Sequence, residues 1–286
     1  MRISNAIAAA VGVLMAEQAG AACNMPEIAY LRLTDGYWQV WLTDAKGDCH
    51  QQLTRDPLDK TRLSWSPGKR VIVANDNSGA LFELSVSGDR KPLTLPLIGM
   101  LDAVVSNDGN RLSFSLNSAQ SWDNNDIWML DLQDNVQRKV SNMPGVEQSP
   151  AWSKDGTHIA FAAKGKATTY QLWEVDLASG TNTQITVDEA MHFDPVYTPV
   201  GDVTFASDRA GNYDIWVWRR ADNQFHQMTD DPSYEAQPAW SSDGKQLAIY
   251  SLRDNQKRVW VMDSSDIKMR PITPATTASR APVWLR

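Results

Sequence analysis

The chain has 286 residues, a formal net charge of −7, four histidines and two cysteines. The acid excess, without any cluster of Lys or Arg, excludes a nucleic-acid surface. His50, His158, His192 and His226 lack the i, i+4 pairing or other spacing of metal ligands, so no metal motif is present.

At the N-terminus, Arg2 precedes an apolar run from Ala6 to Met15, and small residues follow from Ala19 to Ala22. This order of charge, apolar core and small residues is that of a secretory signal, and the apolar run is too short to span a bilayer. Residues 1–22 are therefore expected to be a signal peptide, with residues 23–286 released to the periplasm and no transmembrane segment. The competing reading is a buried helix. Cys23 and Cys49 make an even pair in an exported chain, which favours a disulfide between them. A lipidated Cys23 and two free thiols are the alternatives; a lipoprotein signal usually has Leu three residues before the cysteine, where this chain has Gly20.

From Ile28 the chain reads as three strands: IAYLRL, a turn at Asp35-Gly36, QVWLTD, then CHQQLT. A hairpin unit then recurs. It is clearest as SPAWSKDGTHIAF from Ser149 and PAWSSDGKQLAIY from Pro238, with weaker copies from Leu63, Ala103 and Pro195. Pro150 fixes its own φ and biases Ser149 toward extended backbone, while Asp155-Gly156 is a tight-turn signal between two strands. The last segment, PVWLR, repeats the first strand with no hairpin after it. The anchors Trp65, Val105, Trp152, Tyr197, Trp240 and Trp284 lie 40, 47, 45, 43 and 44 residues apart. An all-β period in the forties specifies a propeller. Each unit places an aromatic on its third strand (Trp41, Phe82, Trp128, Trp173, Trp216, Trp260) and ends its fourth in apolar-Thr or apolar-Ser, as at Leu53-Thr54 and Ile185-Thr186. The expected fold is all-β: one six-bladed propeller of four-stranded antiparallel blades, its ring closed by N-terminal outer strands and a C-terminal inner strand, which removes the free sheet edge.

Nine of the 12 tryptophans fall in register, which means packing between blade faces. Each such ring buries about 150–250 Å², worth about 4–6 kcal/mol at most. Trp38, Trp122 and Trp218 are out of register, and Trp38 and Trp122 are expected in loops where an aromatic can touch a ligand or partner.

The PAW-S-x-D-G hairpin, the aromatic-aspartate strand (Trp41/Asp44, Trp128/Asp131, Trp173/Asp176, Trp260/Asp263) and the closing Leu-Thr resemble the repeat of the TolB-type propeller, over Ile28 to Arg286. The resemblance implies the fold specifically and function weakly, because peptidase propellers and pectin-fragment lyases carry the same repeat. TolB itself has an α/β domain ahead of its propeller. No such domain fits between Cys23 and Ile28, so the expectation is a propeller alone.

Catalytic motifs are absent: there is no G-x-S-x-G elbow and no P-loop, and Ser66-Pro-Gly-Lys69 reads as a hairpin turn rather than an S-x-x-K nucleophile. No cofactor is implied. The connections entering each first strand carry charge, and the funnel-mouth set is Lys60, Arg62, Asp102, Glu147, His192, Asp194, Glu235 and Arg280. Ring order puts basic residues on one side of that mouth and acidic residues on the other. Charged loops on a rigid scaffold mark binding. The expected function is non-catalytic: a monomeric envelope propeller holding a protein or peptide at the funnel. The alternative is a glycan-binding or glycan-cleaving propeller using the same mouth.

Overall fold

The computed structural model describes residues 23–95, 99–117, 124–141, 143–165 and 168–286. The leader expected at residues 1–22 and the loop residue Trp122 lie outside these. The described strands form six four-stranded antiparallel sheets. Five are consecutive in sequence. The sixth joins Ser279–Trp284 to Ile28–Thr34, Tyr37–Thr43 and His50–Gln52. Ile28 pairs with Trp284 and Ala29 with Val283, so the C-terminal strand closes the ring as the repeat requires. We number this composite sheet blade one and the rest in chain order. A disulfide joins Cys23 to Cys49 and pins the segment ahead of Ile28 to the connection before the outermost strand of blade one.

The recurrent residues have local tasks. The Thr or Ser that closes each unit accepts the backbone N–H of the third strand. Val40, Ile127, Leu172, Ile215 and Val259 donate to Thr54, Ser141, Thr186, Thr229 and Thr273 at 2.8–3.0 Å, each pair 14 residues apart. All five acceptors are buried, so each satisfies a donor that water cannot reach. Blade two departs, because its Thr94 is exposed. The aspartates of the third strands cap turns: Asp44 accepts from Lys46 and Asp48, and Asp176 from Ala178 and Ser179.

The tryptophans in register pack between blades. The indole N–H groups of Trp152 and Trp284 donate to Val104 and Ala239 of the preceding blade, at 3.2 and 2.9 Å. Trp218, out of register, is also structural: it is buried in the cluster with Phe205 and Leu172, and its Nε1 donates to Asn223 Oδ1 at 2.8 Å.

Two local expectations are corrected. The hairpin after Trp152 is not a two-residue turn. It closes between Ser153 N–H and the His158 carbonyl, with Gly156 at φ 69° where a side chain would be strained. Ser149 is not extended either. It sits at φ 54°, as do its equivalents Asp102 (53°), Asp194 (50°), Gln237 (54°) and Ala281 (52°). Each lies at a register shift in its inner strand. A bulge inserts a residue, bends the strand and re-aims a side chain, overriding the preference imposed by a following proline.

Candidate functional site

The six inner strands are Ser279–Trp284, Lys60–Ser66, Leu101–Val105, Glu147–Trp152, His192–Tyr197 and Glu235–Trp240, for blades one to six. They surround an axial cavity of about 890 Å³. Its lining starts at a ring of one residue per blade, Arg62, Asp102, Ser149, Asp194, Gln237 and Ala281. It continues past Trp65, Trp152, Trp240 and Trp284 to the hairpin turns, at Pro67, Asn107, Lys154, Pro199 and Ser242, and to Arg286. The cavity therefore opens on the face that carries these turns, the hairpin face. The bulge ring is its floor, and the opposite face carries the crossovers between blades.

An ion pair spans the axis at this ring. Arg62 of blade two and Asp194 of blade five stand three blades apart in a six-membered ring, and Arg62 Nη1 is 3.9 Å from Asp194 Oδ1. Burial pushes the Asp194 carboxyl above the usual carboxylate range; Arg62 opposes that shift and Asp102 adds to it. Around the ring, side chains tie one blade to the next: Gln237 Oε1 accepts from Ala281 N–H at 2.9 Å. The left-handed backbone at five ring positions stores strain that these contacts hold in place.

The funnel-mouth set separates into three groups. Lys60, Glu147, His192 and Glu235 are fully buried, each the first residue of its inner strand. They are pegs between blades. Lys60 Nζ donates to Asp56 and to the Leu58 carbonyl. Glu147 accepts from Met143 N–H, Ile127 N–H and the Ser141 hydroxyl. His192 bonds Asp188 at 2.8 Å, and burial holds its imidazole below its ordinary pKa. Glu235 takes Arg253 Nε at 2.6 Å. His192 is thus part of a strand and not of a blade connection. Arg62, Asp102 and Asp194 form the second group, at the cavity floor. Arg62 and Asp194 do stand on opposite sides of the ring, but they pair across the axis, and Lys60, Glu147 and Glu235 are buried, so these charges do not present a basic and an acidic side at a mouth. Arg280 stands alone on the crossover side, its guanidinium 4.2 Å from the ring centroid of Trp38. Trp38 is within a strand rather than a loop, half-buried, and its backbone N–H donates to Asp59 Oδ1.

Sequence reasoning missed an arc of rings on the crossover face. Tyr170, Phe193, Tyr213, Tyr234 and Tyr250 follow one another at centroid distances of 5.5, 5.9, 5.1 and 6.0 Å across blades four to six. Burial pushes the Tyr234 hydroxyl up to about 12. Tyr170 and Tyr213 share one repeat position, three residues before Trp173 and Trp216, but Phe193, Tyr234 and Tyr250 each stand at another, so periodicity could announce only that pair.

Among the described residues, no group of three or more His, Cys, Asp or Glu is placed to hold a metal ion, and no helix is long and apolar enough to cross a membrane. The described strands make a closed propeller around an indole-walled axial cavity. The chain belongs to the PD40 family, the TolB β-propeller domain, whose model matches residues 94–285. It is similar to the uncharacterised protein Atu1656 of Agrobacterium fabrum, 24% identical over 215 residues, 70% of this chain and 71% of that one. It is also similar to the Tol-Pal system protein TolB of Anaeromyxobacter, 25% identical over 54% of this chain but 33% of that one. Among solved structures, TolB from Acinetobacter baumannii matches with a TM-score of 0.78 at 16% identity, over 91% of this chain and 66% of the other. This chain spans about a third of the Anaeromyxobacter protein's length.

Proposed function

We propose that the protein is a non-catalytic binding propeller of the bacterial cell envelope, acting in the periplasm, that holds a peptide segment of a partner protein in its axial cavity. The observation that carries this reading is the cavity itself: about 890 Å³, walled by indole and proline edges, with Arg62, Asp102 and Asp194 in its innermost ring. A preformed apolar cleft with a few fixed polar groups is the usual form of a binding site. The Cys23–Cys49 disulfide supports an oxidising compartment, as do the secretion-like leader and the likeness to TolB proteins. The enclosure of His192 supports a non-catalytic role, since it was the one histidine expected at the mouth.

The test is capture of periplasmic partners by the tagged mature chain and by Val196→Trp, which fills the cavity from a half-buried wall position. Capture is expected to be lost with little change in melting temperature. Capture that survives Val196→Trp and is lost in Tyr234→Ala would place binding on the crossover face and refute the cavity reading.

A further inference from the structure

The arc of rings on the crossover face leads to a second cavity. Tyr170, Phe193, Tyr213, Tyr234 and Tyr250 follow one another from blade four to blade six, and all five are partly exposed. Core packing accounts only for the two ends. Tyr170 and Tyr250 lean on the clusters of Phe205 and Ile249, whereas Phe193, Tyr213 and Tyr234 belong to no core cluster among the described residues. Beside Tyr250 lies a hollow of about 380 Å³, lined by Tyr234, Ala236, Gln237, Tyr250, Leu252 and Arg280. It shares only Gln237 with the axial cavity. Its polar groups are unused. The Arg280 guanidinium lies 4.2 Å from the Trp38 ring centroid and makes no hydrogen bond or ion pair among the described residues, and its Nε is buried. Gln237 Oε1 accepts from Ala281 N–H, while Gln237 Nε2 and the hydroxyls of Tyr234 and Tyr250 have no partner among the described residues. The charges around the hollow are balanced. Burial lowers the Arg280 guanidinium from its ordinary pKa and the Asp59 carboxylate opposes that shift. Asp194, which acts on Tyr234, is matched by Arg62, and Asp208 places negative charge beside Tyr213.

We propose that this hollow and the rings leading to it bind an uncharged glycan, with an N-acetylated pyranose in the hollow. Tyr234 and Tyr250 meet at 67° and form a corner against which the C–H face of a sugar ring packs. The free N–H groups of Gln237 and Arg280 call for an acceptor oxygen, and Ala236 and Leu252 add a small apolar surface. An acetamido group brings both, a carbonyl and a methyl. The next sugars of the chain lie along Tyr213, Phe193 and Tyr170. A hydrocarbon ligand would leave the guanidinium and the amide desolvated without partners. A carboxylate gains little, because Asp59 already compensates Arg280 and Asp208 repels it along the arc. The site is separate from the axial cavity and does not rest on the reading above.

The experiment is a calorimetric titration of the mature chain and four variants, Tyr234→Ala, Tyr213→Ala, Arg280→Met and Val196→Trp, with melting temperatures to establish that each is folded. Tyr234 is 38% exposed, so its truncation disturbs packing least. The probes are N-acetylglucosamine, tri-N-acetylchitotriose, maltotriose and trigalacturonate. The acetylated trimer should bind about tenfold tighter than maltotriose or N-acetylglucosamine, with trigalacturonate weakest. Tyr234→Ala and Arg280→Met should each weaken the trimer about tenfold. Tyr213→Ala should weaken the trimer and leave N-acetylglucosamine as it was, and Val196→Trp should change neither. No binding of any probe up to about 10 mM by the folded parent overturns the proposal. So does binding that survives Tyr234→Ala and is lost in Val196→Trp, which would put the sugar in the axial cavity. Maltotriose binding as tightly as the acetylated trimer overturns the acetamido assignment, and trigalacturonate doing so overturns the uncharged one.

Discussion

Asp214→Asn should make the protein more stable at neutral pH and no more stable in acid. Asp214 opens the third strand of blade five and is 1% exposed. Its Oδ2 accepts from Gln227 Nε2 at 3.1 Å, and its Oδ1 is buried without a hydrogen-bond partner. Burial raises its pKa to about 6, and the neighbouring carboxylates of Glu235 and Asp230 add to the shift. The folded value lies above the unfolded one, which is near 3.8. The protonated form therefore favours folding: this contribution is complete below about pH 4 and is lost as pH rises through about 6. A rise of about two pKa units corresponds to roughly 2–3 kcal/mol of destabilisation at about pH 8. Asparagine keeps the shape and never ionises. In urea melts, Asp214→Asn should gain about 2–3 kcal/mol over the parent at about pH 8, with the difference shrinking through about pH 5 and vanishing by about pH 4. Other acids titrate alike in both proteins and cancel. A difference that does not change with pH, or a variant less stable at about pH 8, would refute the assignment of strain to this carboxylate.

Two further outcomes follow from the fold. Thr186→Val strands the Leu172 N–H in a buried joint and should cost about 1–3 kcal/mol in urea melts; Thr94→Val, at the exposed equivalent in blade two, should stay within about 0.5 kcal/mol. Paired substitution of Cys23 and Cys49 by Ser should lower stability by about 3 kcal/mol, because the bridge closes a loop of 26 residues between the segment ahead of Ile28 and the outer edge of the composite blade. A melting curve unchanged by loss of the bridge would show that blade pairing alone holds the segment ahead of Ile28.

The sequence by itself determined the ring. Repetition at a steady period made each unit's strands, turns and packing aromatics legible, and an orphan first strand at Pro282 to Arg286 matched a missing one before Ile28. Those features are local or translational: a Thr that caps a strand 14 residues earlier needs only its own blade. The cysteine pairing was readable for a similar reason, since the two residues bracket one hairpin. Which charges reach the axis was a different matter. In DKTR, Lys60 and Arg62 are two residues apart, yet one is a buried peg and the other lies at the cavity floor. The difference is set by register shifts in the inner strands, where each added residue alters the direction of the side chains around it. Such a shift is fixed by contact with neighbouring blades, which sequence order does not display. Arg62 and Asp194 are separated by half the ring and meet only because six blades close around one axis. Only closure could decide that these two side chains face each other and that the inner strands enclose one axial cavity.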